Sequence, residues 1–204
     1  AVRYEHNAKD DLTAIEYPGG LREAWNIDAQ GDAAFWTNRR GQSVHYEYDA
    51  QGRMIRATWP DGREFAYEYN ARGLLVSASD TLTGTIAFTY DVRDYLTRIE
   101  YPGGHWLAYE YDAAGRRTKM TQHDGHEVRY GYDALGRLQT LKDKTDAEIV
   151  RYSYNAVGRL DREDRGNGTY AVYAYDLAGR LAGLTHHAPD GAVQEAIQYA
   201  YDVN

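Results

Sequence analysis

The residues best equipped for chemistry in this chain are carboxylates and guanidinium groups set four positions apart. Asp49 and Arg53, Asp112 and Arg116, Asp133 and Arg137, and Asp176 and Arg180 each stand in the order Asp-x-x-Gly-Arg, and Asn155 with Arg159 repeats the spacing with a carboxamide. A lone pair of this kind could move a proton or hold an anion. Periodic repetition argues otherwise, since catalysis needs one convergent constellation. The plainer reading is a turn-capping Asp whose Arg neighbour pairs with it or with a carbonyl. Other candidates are thinner. Of the seven histidines (His6, His45, His105, His123, His126, His186 and His187), His123 and His126 flank a tight turn and His186 and His187 are adjacent. Zinc asks for three or four converging ligands, and no third partner is indicated. Ser43, Ser77, Ser79 and Ser153 lie in no nucleophile-elbow context. "GNG" at 166–168 lacks the following helix that a phosphate cradle needs. With no Cys, thiolate chemistry and disulfides are removed together. The expectation is a chain with no catalytic, metal-binding or cofactor-binding residues.

Composition points to what positions these groups instead. Among 204 residues, 20 are Tyr and 20 Gly, with only 3 Phe and 26% charged. That mixture favours strands and turns over a helical bundle. A net charge of −8 argues against nucleic acid, whose backbone selects basic surfaces. No apolar run is long enough to span a membrane as a helix, and "AVRYEHNAKDD" lacks the layout of a signal peptide.

The chain is built on one repeat. An Asp or Asn following the tyrosines falls at Asn7, Asp28, Asp49, Asn70, Asp91, Asp112, Asp133, Asn155, Asp176 and Asp202, in steps of 21 six times, then 22, 21 and 26. Within a unit such as residues 53–73, Phe65, Tyr67 and Tyr69 alternate with Glu64, Ala66 and Glu68, the period of a half-buried strand. The same face recurs as Val44, Tyr46, Tyr48; as Leu107, Tyr109, Tyr111; as Val128, Tyr130, Tyr132; as Tyr152, Tyr154; and as Tyr173, Tyr175. Stacked rung on rung, these rings would form cross-strand aromatic ladders.

Two turns punctuate each unit. Gly-containing pairs such as "PDG" at 60–62 and "HDG" at 123–125 read as hairpins of type I′, which needs positive φ at both central residues. The second turn is Asp-x-x-Gly, whose Gly suits a left-handed backbone. Gly31, Gly52, Gly73, Gly115, Gly136, Gly158 and Gly179 hold that place, and the two substitutes, Asp10 and Asp94, are of a type that tolerates it. With turns this frequent no room remains for an ordinary helix. After "GR", apolar residues fall at i and i+3, as at Leu138 and Leu141, on opposite faces of a regular strand. Packing of the first beneath the turn, or a β-bulge, accounts for this equally well. The final step of 26 predicts a lengthened hairpin with its tip around Pro189 to Gly191.

One hairpin cannot bury its apolar face alone, so hairpins are stacked until they share a core. About nineteen strands at ~4.8 Å spacing make a sheet roughly 90 Å wide, which must curl or spiral. Its unpaired edges predict that residues 1–204 are a single repeat array cut from a longer one.

The unit Y-x-Y-D-x-x-G-R-L resembles the RHS or YD repeat. The residues that carry the likeness are Tyr46, Tyr48, Asp49, Gly52 and Arg53; Tyr67, Tyr69, Asn70 and Gly73; Tyr109, Tyr111, Asp112, Gly115 and Arg116; Tyr130, Tyr132, Asp133, Gly136 and Arg137; Tyr152, Tyr154, Asn155, Gly158 and Arg159; and Tyr173, Tyr175, Asp176, Gly179 and Arg180. It departs at "YEHNAKDDL", "NIDAQGDA" and "FTYDVRDYL", where the Gly-Arg pair is missing. The resemblance implies a β-ribbon coiled into a hollow shell. In bacterial Rhs proteins and Tc toxins such a shell encloses a C-terminal toxin; in teneurins it belongs to an adhesion ectodomain. The implied partners are flanking repeats of a parent protein and an enclosed toxin domain, in an exported or cell-surface bacterial protein. The segment carries none of the toxin, autoproteolytic or N-terminal modules of that family. The alternative it implies is a glycan- or protein-binding module of a cell-surface protein, with the tyrosine rings as its platform. Exposure of those rings discriminates the two.

Overall fold

The computed structural model describes residues 1–202 and bears out the all-β reading, with nineteen strands and one short 3-10 turn at Pro102–Gly104. The chain divides into two compact units, Ala1–Trp106 and Leu107–Asn204. The first holds β1 (Arg3–His6), β2 (Leu12–Glu16), β3 (Arg22–Ile27), β4 (Ala33–Thr37), β5 (Ser43–Tyr48), β6 (Met54–Thr58), β7 (Glu64–Tyr69), β8 (Leu75–Asp80), β9 (Gly84–Tyr90) and β10 (Leu96–Glu100). Each pairs antiparallel with the next. In the second, β11 (Trp106–Tyr111) is followed by β12 (Arg117–Gln122), β13 (Glu127–Tyr132), β14 (Leu138–Asp143), β15 (Glu148–Tyr154), β16 (Leu160–Arg165), β17 (Tyr170–Tyr175), β18 (Leu181–His187) and β19 (Val193–Gln198). The same meander connects them.

Strand pairing fixes one tyrosine-bearing face. Tyr46 lies opposite Ala57, and Ala57 opposite Phe65; Tyr130 lies opposite Leu141, and Leu141 opposite Val150. An intervening strand thus separates the tyrosine strands of successive units by two strand spacings, about 9.6 Å. That distance exceeds what ring-on-ring stacking spans, so the expected aromatic ladder is replaced by aromatic rungs alternating with aliphatic ones. Burial is shallow. Val44, Ala57, Val150 and Ala171 are buried on this face, and no large side chain among the described residues is fully enclosed. Each unit is therefore held by contacts between neighbouring strands rather than by a second layer packed on the sheet.

The apolar i, i+3 irregularity is a β-bulge, and it recurs. Tyr132 pairs with Leu138 while Gly131 pairs with Thr140, Tyr175 pairs with Leu181 while Ala174 pairs with Gly183, and the same skip occurs at Tyr48, Tyr69, Tyr111 and Tyr154. The extra residue brings Leu138 and Leu141 onto the same face as Tyr132 and Tyr130.

The Asp-x-x-Gly turn and most of the hairpin turns share one construction, which corrects the type I′ reading; the Pro-Gly-Gly hairpins differ in carrying two left-handed glycines in succession, Gly19 with Gly20 and Gly103 with Gly104. At the hairpin, Gly62 N–H donates to Trp59 C=O at 3.0 Å and Trp59 N–H to Arg63 C=O at 2.8 Å; at the second turn, Gly52 N–H donates to Asp49 C=O at 3.0 Å and Asp49 N–H to Arg53 C=O at 2.9 Å. Gly62 is left-handed (φ 84°), but Asp61 is not among the positive-φ residues. Type I′ is thereby excluded, and the loop is a turn closed by a left-handed glycine. The Asp-x-x-Gly glycines run from φ 75° at Gly52 to 101° at Gly31, and Asp10 and Asp94 both stand at 68°. Asp146, also at 68°, fills the glycine place of a hairpin turn.

The last hairpin is lengthened in its strands rather than in its loop. Ala188 to Ala192 close the same compact turn, Gly191 N–H to Ala188 C=O at 3.0 Å, and β18 and β19 take up the added residues with a bulge at His186/His187.

Candidate functional site: a clasp between repeats

The Asp-x-x-Gly-Arg groups do converge, but with the next repeat. In the turn itself Asp49 Oδ1 accepts the N–H of Gln51 at 2.9 Å and of Arg53 at 3.0 Å, while Oδ2 accepts Arg53 Nε at 2.7 Å. Asp112, Asp133 and Asp176 hold Arg116, Arg137 and Arg180 the same way, with Nε–Oδ2 distances of 2.8, 2.7 and 2.8 Å. These bonds favour the charged form and lower all four carboxyls. In Asp49 the Arg53 side chain is the main cause; in Asp112, Asp133 and Asp176 it is the backbone N–H of the arginine.

Pinned by its own aspartate, each guanidinium lies over the second tyrosine of the following unit. Arg53 stands 4.5 Å from the Tyr69 ring centroid, Arg116 4.6 Å from Tyr132, Arg137 4.3 Å from Tyr154 and Arg180 4.5 Å from Tyr201. The tyrosine hydroxyl then reaches back to the strand following that arginine. Tyr69 donates to Met54 C=O at 3.0 Å, Tyr132 to Arg117 C=O at 2.7 Å, Tyr154 to Leu138 C=O at 2.7 Å and Tyr175 to Leu160 C=O at 2.8 Å. The sequence carries an internal control: with Asn155 in the aspartate place, Arg159 has no carboxylate partner among the described residues and stands 5.4 Å from Tyr175.

Gly73, Gly136, Gly158 and Gly179 lie under the arginine of the preceding repeat; a Cβ on Gly73 would meet Arg53 at 3.3 Å. Gly115 is left-handed like the others. Asn70 caps its turn through the N–H groups of Arg72 and Leu74, but the arginine place there is Leu74, so no guanidinium is held. The first tyrosines, Tyr46, Tyr67, Tyr109, Tyr130, Tyr152 and Tyr173, are half-buried on the same face. Burial pushes the phenols of Tyr46, Tyr152 and Tyr173 up. Arg117 covers the Tyr109 ring at 4.2 Å.

The remaining sequence candidates stay apart. His126 Nδ1 meets Asp124 Oδ2 at 2.9 Å, and His187 stacks on Tyr170 at 4.4 Å with 9° between the planes. No group of three or more potential metal ligands occurs among the described residues. One pairing escaped the sequence reading. Asp80, only 9% exposed, accepts hydrogen bonds from Arg63, from Leu82 N–H at 2.9 Å and from Thr83 Oγ1 at 3.2 Å. Its carboxyl is held at about 2, chiefly by Arg63. Arg63 in turn lies 4.6 Å from the Phe65 centroid. The signal was present as an Asp at the start of a hairpin turn lacking the usual Asp-Gly pair, "SDTLTG".

Turns that clamp the following repeat suit a long β-ribbon, and the profile of the teneurin YD-shell matches residues 26–150, more than half of the chain. The chain belongs to the YD-shell family. Comparison by sequence with curated proteins gives no match. Among solved structures, this YD-shell chain superposes on the TcdB2-TccC3 complex with a TM-score of 0.83 at 19% identity, and on TcdB2-TccC3 without its hypervariable C-terminal region with 0.85 at 18%. A Photorhabdus luminescens Tc holotoxin pore gives 0.68 at 17%. At these identities the likeness is one of fold. Each match covers 98% of this chain, which spans only 12 to 13% of the length of the other. No helix among the described residues is long and apolar enough to cross a membrane.

Proposed function

We propose that this YD-shell segment does no chemistry and serves as wall material of a closed β-shell, in a longer exported bacterial protein, around a polypeptide cargo of toxin type. The observation that supports it is the clasp: the polar groups that recur are spent on joining one repeat to the next, at Arg53–Tyr69, Arg116–Tyr132, Arg137–Tyr154 and Arg180–Tyr201. Those guanidinium groups cover the rings of Tyr69, Tyr132, Tyr154 and Tyr201, which favours wall over sugar platform at these four repeats. The fold shared with the Tc complexes supports the shell, and the toxin cargo follows the family resemblance.

A shell acts by exclusion. Limited proteolysis of the full-length parent should leave the cargo region intact, whereas Gly115→Val, Gly136→Val and Gly158→Val together, each placing a β-branched residue at a left-handed site, should open the wall and expose it. Equal rates of cargo degradation in the two proteins would overturn the encapsulation reading.

A further inference from the structure

One repeat puts a carboxylate in the arginine place of the clasp while keeping its geometry. Tyr48 takes the same pose as Tyr69 and Tyr132, its hydroxyl donating to Ala33 C=O at 3.2 Å. The residue sixteen places before it, where Arg53 precedes Tyr69, is Asp32. Asp32 follows the passage of the missing arginine, its Oδ2 lying 3.6 Å from where a Cβ on Gly52 would be. It is too short to cover the ring and has the wrong charge to do so.

What remains is a cleft of about 680 Å³ lined by Asp28, Asp32, Tyr46, Tyr48 and Gly52, among others. Asp28 Oδ1 accepts the N–H groups of Gln30, Gly31 and Asp32, each at 2.9 Å. Its Oδ2, the atom that in Asp49, Asp112, Asp133 and Asp176 holds a guanidinium, has no partner among the described residues. Nor has the Asp32 carboxylate. The cation reaching across from the preceding turn, Lys9, donates instead to Ala29 C=O at 3.1 Å. The Tyr48 phenol is pushed up, by burial first and then by the Asp32 carboxylate.

We infer that this cleft binds a guanidinium from outside the chain, presented as an arginine side chain of a polypeptide partner. Two half-buried carboxylates without a counter-ion beside an uncovered tyrosine face supply both halves of the recognition. A planar fork satisfies Asp28 Oδ2 and Asp32 while stacking on Tyr48, which a compact ammonium does less well. The chain itself makes the same contact four times with carboxylate and ring together. This is a binding site on the wall and stands whether or not the shell encloses a toxin.

The test is fluorine NMR of the full chain labelled with meta-fluorotyrosine, the Tyr48 signal being assigned through Tyr48→Phe. Titrants are N-acetyl-arginine amide, its lysine counterpart and the uncharged citrulline isostere. The arginine compound should shift Tyr48 selectively and bind at least about tenfold tighter than the citrulline compound, with the lysine compound between them. Asp32→Arg, which installs the residue four other repeats carry after their aspartate, should abolish the response and move the free Tyr48 signal toward that of Tyr69. Asp32→Asn should weaken binding several-fold while leaving the other tyrosine signals in place. Equal binding of the citrulline or lysine compound, or undiminished arginine binding in Asp32→Arg, would overturn the assignment.

Discussion

Arg137 grips Asp133 in its own turn at 2.7 Å and covers Tyr154 of the next repeat at 4.3 Å, so one side chain ties together two repeats. Tyr154 completes the loop by donating to Leu138 C=O at 2.7 Å, one residue beyond Arg137. The guanidinium is thus held from both sides, while Asp133 also caps the backbone N–H groups of Leu135 and Arg137 and Tyr154 is anchored on a backbone carbonyl.

The first prediction follows from that arrangement. A double-mutant cycle with Arg137→Ala and Tyr154→Leu should return a coupling of ~0.5–2 kcal/mol, the range of a cation over a ring. Because Asn155 fails to hold Arg159, the cycle for Arg159 and Tyr175 should return less. Urea midpoints give both values, and equal couplings would mean that the aspartate does not position the guanidinium.

A second concerns the left-handed turn site. Gly136→Val should cost at least ~1 kcal/mol, since φ 78° disfavours a β-branched residue. Asp94→Gly should be close to neutral: relief of φ 68° is offset by loss of the Arg72–Asp94 ion pair. Denaturant midpoints discriminate the two.

Asp80 sets a pH dependence. Its folded carboxyl is lowered to about 2, against an ordinary value of about 3.9. A depressed pKa means that its contribution is complete above about 3.9 and is lost as pH falls toward 2. Stability of the wild type should therefore decline through that window, and Asp80→Asn should flatten the decline. An unchanged slope would dissociate Asp80 from acid stability.

Two glycines, Gly131 within β13 and Gly166 in the turn after β16, separate side-chain from backbone crowding. A Cβ at Gly166 would collide with Glu148 C=O, and one at Gly131 with Thr140 Oγ1. Both alanine variants should destabilise, by about 1–3 kcal/mol. Adding Thr140→Ala should recover most of the loss at Gly131, whereas no side-chain change relieves Gly166. Thermal midpoints of the single and double variants check this.

These features divide by how local they are. The period, the strand faces and the left-handed sites were legible because each rests on a few adjacent residues; Asp10 and Asp94 among the glycines marked the backbone without any tertiary information. The bulge at the second tyrosine was visible only as Leu138 and Leu141 out of phase, a pattern that two geometries fit. The identity of the two turns was hidden because "PDG" satisfies more than one turn type. The contact from Arg53 to Tyr69 spans sixteen residues and depends on the bulge to bring both onto one face, so spacing alone did not reveal it. Arg63, in the turn that opens β7, meets Asp80 at the end of β8, a pairing outside the repeat's own spelling.

Within each unit a strand pairs only with those made just before and just after it, and this gives the molecule a direction in time. A 21-residue repeat leaves a ribosome about every 1–4 s, whereas a hairpin closes in roughly 1–10 μs. Every rung can therefore zip onto a finished edge long before its successor exists, and each strand waits only for the next one made. The growing end is always a single fresh edge, offered to the next hairpin of the same nascent chain before a stranger can reach it.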